Sequence, residues 1–142
     1  MNTSNAPRYD AIQIGQELPP MTFPPITRTT LALFAGASGD HNPIHIDLDF
    51  ARAAGMPDVF AHGMLSMALL GRYLTHWAPQ PCLRRFGVRF VAITPVGTQL
   101  RCSGKVVDRR EEGGERLVAL ELVAADLQGE AKLIGEALVA LP

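Results

Sequence analysis

"HGMLSMALLGRYLTHW", residues 62–77, decides how the rest of the chain is read. Met64, Leu65, Met67, Ala68, Leu69, Leu70, Tyr73, Leu74 and Trp77 cover most of the helical circumference. A helix apolar on nearly all sides is buried on nearly all sides. At 1.5 Å per residue it spans about 21–24 Å, too short to cross a membrane. Its expected place is the centre of the core. Gly71 lowers helix propensity in its middle, which predicts close approach of another backbone there.

C-terminal to this helix, four long strand patterns run between Leu83 and Leu141. "RRFGVRFVAI" leads to a turn at "TPVG". "TQLRCSGKVVDRRE" leads to a two-residue hairpin at Gly113-Gly114, and "ERLVALELVAAD" to a turn near Gln128-Gly129. "EAKLIGEALVAL" is the last. These runs exceed the usual strand length of about 5–6 residues. N-terminal to the helix the patterns are helical. "ITRTTLALFAGASGD" offers Thr27 as an N-cap, an apolar face of Leu31, Phe34 and Ala35, and Gly36 and Gly39 as stops. "DLDFARAAG" is a short helix capped by Asp47 or Asp49 and closed by Gly55. Helices first and strands afterwards give an α+β domain, a curved antiparallel sheet wrapped around the central helix. One domain is expected over residues 1–142, with residues 1–12 a loose N-terminal arm.

Composition excludes several classes. Apolar residues at 47% and charged residues at 19% are globular rather than disordered. A net charge of -1 gives no electrostatic footprint for nucleic acid or an anionic membrane. The polar start "MNTSNAPRYD" lacks an apolar signal core, so a cytoplasmic protein is expected. Cys82 and Cys102 have no CxxC spacing and read as reduced, partly buried thiols on strands.

The chemistry concentrates in "ASGDHNPIH", residues 37–45. His41 and His45 have helical metal-ligand spacing, but Pro43 between them disfavours a helix, and Asn42 stands where a zinc motif has Glu. A calcium loop starting at Asp40 lacks its Gly and its closing Glu. No metal is expected. Phosphate loops and a nucleophile elbow are absent, and Ser66 reads as a helix residue bonding back to the preceding turn. Acid/base chemistry remains. Asp40 and His45 flank a Pro-stiffened turn, and a carboxylate and an imidazole sharing one water move protons in both directions. Taken singly, Asp40, Asn42-Pro43 and His45 are ordinary turn residues. "FAHGM", residues 60–64, adds a second feature. Gly63 opens the central helix, where unpartnered amides and the dipole stabilise a carbonyl oxygen gaining negative charge. His62 beside it reads more simply as a cap or shield of the helix start. An activated carbonyl beside an acid/base pair suits addition or elimination of water β to a thioester.

"SGDHNPIHID" followed by "AHGM" resembles the MaoC-like dehydratase family, which includes the (R)-specific enoyl-CoA hydratases. The D-x-N-P-x-H core is matched at Asp40, Asn42, Pro43 and His45, and the following His-Gly at His62 and Gly63. "VRF", residues 88–90, resembles the strand that lines the thioester cleft, and the likeness runs from about Ile14 onward. The chain also resembles single-domain subunits of bacterial 3-hydroxyacyl-acyl-carrier-protein dehydratases. The resemblance implies a hot-dog fold, its long helix wrapped by an antiparallel sheet, and a dimer whose sheets join. It implies a hydro-lyase that reversibly hydrates trans-2-enoyl thioesters to (R)-3-hydroxyacyl thioesters. By carry-over, Asp40 and His45 are the catalytic pair holding the water, their order of proton transfer left open. On the substrate-binding side Asn42 positions the loop, Gly63 supplies the oxyanion amide, and Phe90 lines the thioester site. No cofactor is implied; coenzyme A or acyl-carrier pantetheine arrives with the acyl thioester. The implied partner is a second copy or a related hot-dog subunit. One departure is Ile93, where family members often have Pro; Pro95 follows two places later. Two alternatives stand beside this reading: a hot-dog acyl thioesterase, and one subunit of a heteromeric 3-hydroxyacyl-thioester dehydratase. Lys105, Arg109 and Arg110 are candidates for carrier phosphates, although charged strand ends are more often simply solvated.

Overall fold

The computed structural model describes residues 6–142. Its strands are β1 (Glu17–Thr22), β2 (Leu83–Phe90), β3 (Arg101–Glu112), β4 (Glu115–Ala125) and β5 (Ala131–Ala140). Its helices are α1 (Arg28–Ser38), α2 (Leu48–Ala53) and α3 (Gly63–Trp77). The five strands form one antiparallel sheet in the order β1-β3-β4-β5-β2. Among the described residues no helix is long and apolar enough to cross a membrane.

The sheet closes over α3 through strand alternation. Inward residues of β3, β4 and β5, among them Cys102, Val106, Val118, Leu120, Leu122, Leu133 and Val139, share one core cluster with Leu70, Tyr73 and Leu74 of the helix. Period 2 in the strands and period 3.6 in the helix bring these faces together. The opposite side of α3 is open: Met64, Ala68, Arg72 and His76 are exposed. The run of apolar letters overstated burial, because Met64 and Ala68 stand on the same helical face as Arg72 and His76. Gly71 is a site of close approach, but to a ring. A Cβ there would lie 3.3 Å from the Phe86 side chain.

Both tight turns lie where glycines place them. Gly113 and Gly114 take φ of 60° and 80° between the paired Glu112 and Glu115, as a type I′ hairpin requires. At Gly129, Asp126 accepts hydrogen bonds from the amides of Gln128 and Glu130. The chain does turn at "TPVG", where Gly97 has φ 87° and the Thr98 amide donates to the Pro95 carbonyl at 3.2 Å, but the turn does not pair the strands on its two sides. β2 and β3 are not neighbours, since β2 pairs only with β5 at the edge of the sheet. The chain between them crosses the α1–α2 region, tied by Phe23 to Leu100, Ile26 to Thr98 and Ala61 to Thr94 backbone bonds.

β1 was not anticipated. Its Pro19-Pro20 reads as loop, yet β1 is an edge strand and its register with β3 shifts between Leu18 and Met21. Proline is tolerated at such an edge because no ladder amide is needed there. The expected loose arm is corrected as well. Residues 1–5 lie outside the described residues, but Tyr9 and Ile12 are buried, and the Tyr9 amide donates to the Pro142 carbonyl at 3.0 Å. Both cysteines are free and fully buried; Cys102 is on β3, whereas Cys82 ends a 3-10 turn.

Candidate active site

A second, smaller core cluster holds the site. Ile26, Leu31, Ala51, Val59, Ala61, Leu65 and Leu100 pack together beneath the loops, with Phe34 and Ile44 at their margin. Thr27 caps α1 by accepting from the Thr30 amide at 3.1 Å. Gly39 ends it at φ 76°, a left-handed turn that aims the chain into the Asp40 loop. That loop is organised by its own short side chains. The Asp40 carboxylate accepts from the Asn42 amide at 3.2 Å, and Asn42 Oδ1 accepts from the Ile44 amide at 3.1 Å. Pro43 opens a single 3-10 turn, Pro43–His45, whose missing amide hydrogen costs nothing at that position. Asp47 then caps α2 through the Phe50 amide.

The turn buries His45 and leaves Asp40 exposed. His45 Nδ1 lies 2.7 Å from the Phe60 carbonyl oxygen. A carbonyl only accepts, so Nδ1 carries the hydrogen and Nε2 keeps its lone pair. His62 joins them from the start of α3. Ligand-type atoms of Asp40, His45 and His62 lie within 4.8 Å of one another. The His62 side chain does not cap α3. Instead Nε2–H donates to the Asp40 backbone carbonyl at 3.2 Å, and the ring stacks on His45 with centroids 4.0 Å apart. Burial, and then the facing His45 ring, hold the His62 pKa below the ordinary imidazole value. With His45 Nδ1–H and His62 Nε2–H engaged by the Phe60 and Asp40 carbonyls, each ring keeps one lone pair, on His45 Nε2 and His62 Nδ1. His41, the other half of the metal-spaced pair, is exposed outside this cluster.

Gly63 is the first residue of α3, and Phe90, the last of β2, lies across it. A Cβ on Gly63 would be 3.1 Å from the Phe90 ring. Both border an open cavity of about 350 Å³ lined by Phe60, Ala61, Ser66, Ile93, Thr94 and Leu133 among others. Its wall is mostly apolar, and it touches the acid/base pair through Phe60, whose carbonyl holds His45. Ser66 is nearly fully buried, and its hydroxyl has no partner rather than a bond to the preceding turn. Ile93, the departure from the family pattern, stands in the cavity wall. Thus Asp40, His45, Asn42, Gly63 and Phe90 all fall in one region, and the structure adds His62 and Ser66. Lys105, Arg109 and Arg110 do not join them. Arg109 stacks on Tyr9 and Arg110 pairs with Asp108 and Glu112. Arg109 is about 23 Å along β3 from Cys102, which lies across the sheet from Leu133 of the cavity.

The chain's relatives carry the same arrangement of elements. The profile of the MaoC like domain matches residues 11–126. The 3-hydroxyacyl-thioester dehydratase Z of Mycobacterium tuberculosis is 30% identical over 86% of this chain and 85% of its own length. Among solved structures, the R-hydratase PhaJ1 from Pseudomonas aeruginosa superposes with a TM-score of 0.83 at 28% identity, covering 95% of this chain and 85% of that one. The (R)-hydratase from A. caviae gives a TM-score of 0.79 at 25% identity, covering 93% and 98%. With a five-stranded hot-dog sheet around α3 and the D-x-N-P-x-H turn set beside the His-Gly helix start, this chain belongs to the MaoC-like family of hydratases and dehydratases and is a lyase of that class.

Proposed function

We propose that this protein reversibly hydrates trans-2-enoyl thioesters to (R)-3-hydroxyacyl thioesters. The observation that carries the proposal is the meeting of Asp40 and His45, whose Nε2 is free, beside the Gly63 helix start at an apolar cavity. A water between the two bases donates one hydrogen to the Asp40 carboxylate and one to Nε2, leaving its oxygen lone pair for C3. As the C3–O bond forms, one O–H bond breaks and the proton passes to C2 through the pair. The thioester carbonyl oxygen gains charge in that step, and the Gly63 amide stabilises it. Elimination runs the same transfers backwards. The pantetheine carrier, of coenzyme A or of an acyl-carrier protein, enters with the substrate, and the chain's own groups supply the chemistry.

Assembly with a second hot-dog subunit, identical or related, belongs to the same proposal. β2 pairs only with β5, so its outer edge is free among the described residues, and exposed Phe90, Val91 and Ile134 lie beside it. Light scattering on the purified chain tests this directly.

Loss of enoyl absorbance on mixing with crotonyl-CoA and a longer enoyl-CoA, with Asp40→Asn in parallel, tests the reaction. Turnover absent from the variant supports it. Release of free coenzyme A thiol instead would assign a thioesterase. Binding without turnover would assign a subunit that needs its partner.

A further inference from the structure

We infer that His62 is a positioning residue for the Asp40–His45 pair, fixing the Asp40 backbone with its Nε2–H and seating the His45 imidazole against its ring face. The inference rests on the proposed hydration and extends it to a residue that reads in the sequence as a helix cap. The position before a helix favours Ser, Thr, Asp or Asn, whose side chains take a first-turn amide. His62 makes no such bond. Its contacts all point away from the helix and toward the reacting groups.

Between Ser38 and Ile44 the side-chain bonds of the loop itself are local. Ser38 takes the Asp40 amide, Asp40 the Asn42 amide and Asn42 the Ile44 amide. The His62 bond joins the acid-bearing end of this loop to the rest of the fold, across 22 positions of sequence. The second member is held from the same stretch. His45 bonds the Phe60 carbonyl, with the Phe60 ring at 5.0 Å edge-on to one side and the His62 ring at 4.0 Å on its face. Residues 60–62 are themselves anchored. Phe60 bridges to Pro95, and the Ala61 amide donates to the Thr94 carbonyl at 2.8 Å. One three-residue stretch therefore carries both holds and sets the spacing of the acid and the base.

The groups facing His62 are the His45 ring, the Asp40 backbone and carboxylate, and the Phe34 ring of α1 at 4.9 Å. A proton on His62 would set a cation against His45, the group that must accept a proton. Its near-complete burial and the lowered pKa agree with a neutral ring that serves by shape and by one donor.

Two variants separate the holds. His62→Phe keeps the ring and removes the donor, whereas His62→Gln keeps a donor at nearly the same reach and removes the ring. His62→Phe is expected to lower kcat for crotonyl-CoA hydration by about 10–100-fold while KM changes less than about threefold, and His62→Gln, with the donor but no ring, to recover part of that loss. Wild-type kcat in His62→Phe overturns the inference, as does an equal loss in both variants that follows their loss of melting temperature. Nitrogen-15 NMR of the imidazoles gives a second readout that needs no turnover. At about pH 7, above the ordinary imidazole pKa, His62 should be neutral with hydrogen on Nε2, and the Asp40 carbonyl carbon should shift in His62→Phe but not in His62→Gln. Hydrogen on Nδ1, or an unmoved Asp40 carbonyl, overturns it. If wild type fails to turn over, the proposed hydration falls, and the NMR result still decides the role of His62.

Discussion

The His45 and His62 imidazoles stack with centroids 4.0 Å apart and planes inclined by 30°. Two positive rings at that separation would repel by about 4 kcal/mol at an effective dielectric of about 20. A neutral His62 avoids that repulsion, in keeping with its lowered pKa. His45 faces the Asp40 side of the site with a free Nε2, while His62 lies behind it, almost wholly buried.

Asp40→Asn and His45→Gln are each expected to lower kcat by about 10²–10⁴, the range for a positioned acid or base. Melting temperatures should stay near wild type for Asp40→Asn, because its carboxylate is exposed. Steady-state hydration of crotonyl-CoA with parallel thermal melts checks both. Full activity in either variant, with normal stability, would remove the pair from the mechanism.

Gly63→Ala should separate activity from stability. The added methyl would lie 3.1 Å from the Phe90 ring, but that ring is 50% exposed and free to swing. Stability should change by less than about 1 kcal/mol. The variant keeps the backbone amide of residue 63, so turnover should fall by about 10–100-fold, as the methyl crowds the thioester carbonyl away from that amide. Rates near wild type would argue that the carbonyl sits elsewhere.

Folding stability should decline as pH falls below the imidazole range. The His62 pKa is lower in the folded chain than the ordinary imidazole value of 6.5, so the unfolded chain binds a proton first. That contribution is complete above the unfolded value and is lost as pH falls toward the folded one. Thermal melts of wild type between about pH 7.5 and 5 should show the drop, and His62→Phe should flatten it. An equal slope in both proteins would place the titrating group elsewhere.

Cys102 should be inert in the folded protein. Burial pushes its thiol pKa up to about 12 and leaves no exposed surface. A thiol reagent should therefore label it only after denaturation. Rapid native labelling at Cys102, read by mass spectrometry, would contradict this packing.

Gly104→Ala should destabilise by about 1–3 kcal/mol, because a Cβ there would come within 2.9 Å of Leu122 and 3.4 Å of the Tyr73 hydroxyl. Both neighbours are almost fully buried and have no room to yield. Denaturant melts measure the change, and an unaltered midpoint would mean a looser core.

Much of the site was legible because its spacing is local. Asp40, Asn42, Pro43 and His45 act within six positions, and the turn that orders them is written in short polar side chains and one proline. Thr27, Asp47 and the Gly113-Gly114 hairpin were legible for the same reason: a cap or a positive φ is decided within a few residues. What failed was non-local. β1 was hidden by Pro19-Pro20, since an edge position is what makes proline tolerable, and edges are defined by the sheet. The turn at "TPVG" was legible in its proline and glycine, but the place of β2 beside β5 was not, because strand order is set by packing rather than by loop length. Tyr9 and Ile12 looked like an arm because the surface that buries them comes from distant parts of the chain.

The same division applies to the chemistry. By itself the sequence determined which groups are present at the turn, that they are an acid and a base, and that a helix begins at Gly63 soon after. Only the tertiary structure decided which nitrogen of His45 is free, because the Phe60 carbonyl that takes its Nδ1–H arrives from 15 residues away. It also turned His62 from a helix cap into the brace behind the pair, since a ring's partners depend on what the fold stacks against it.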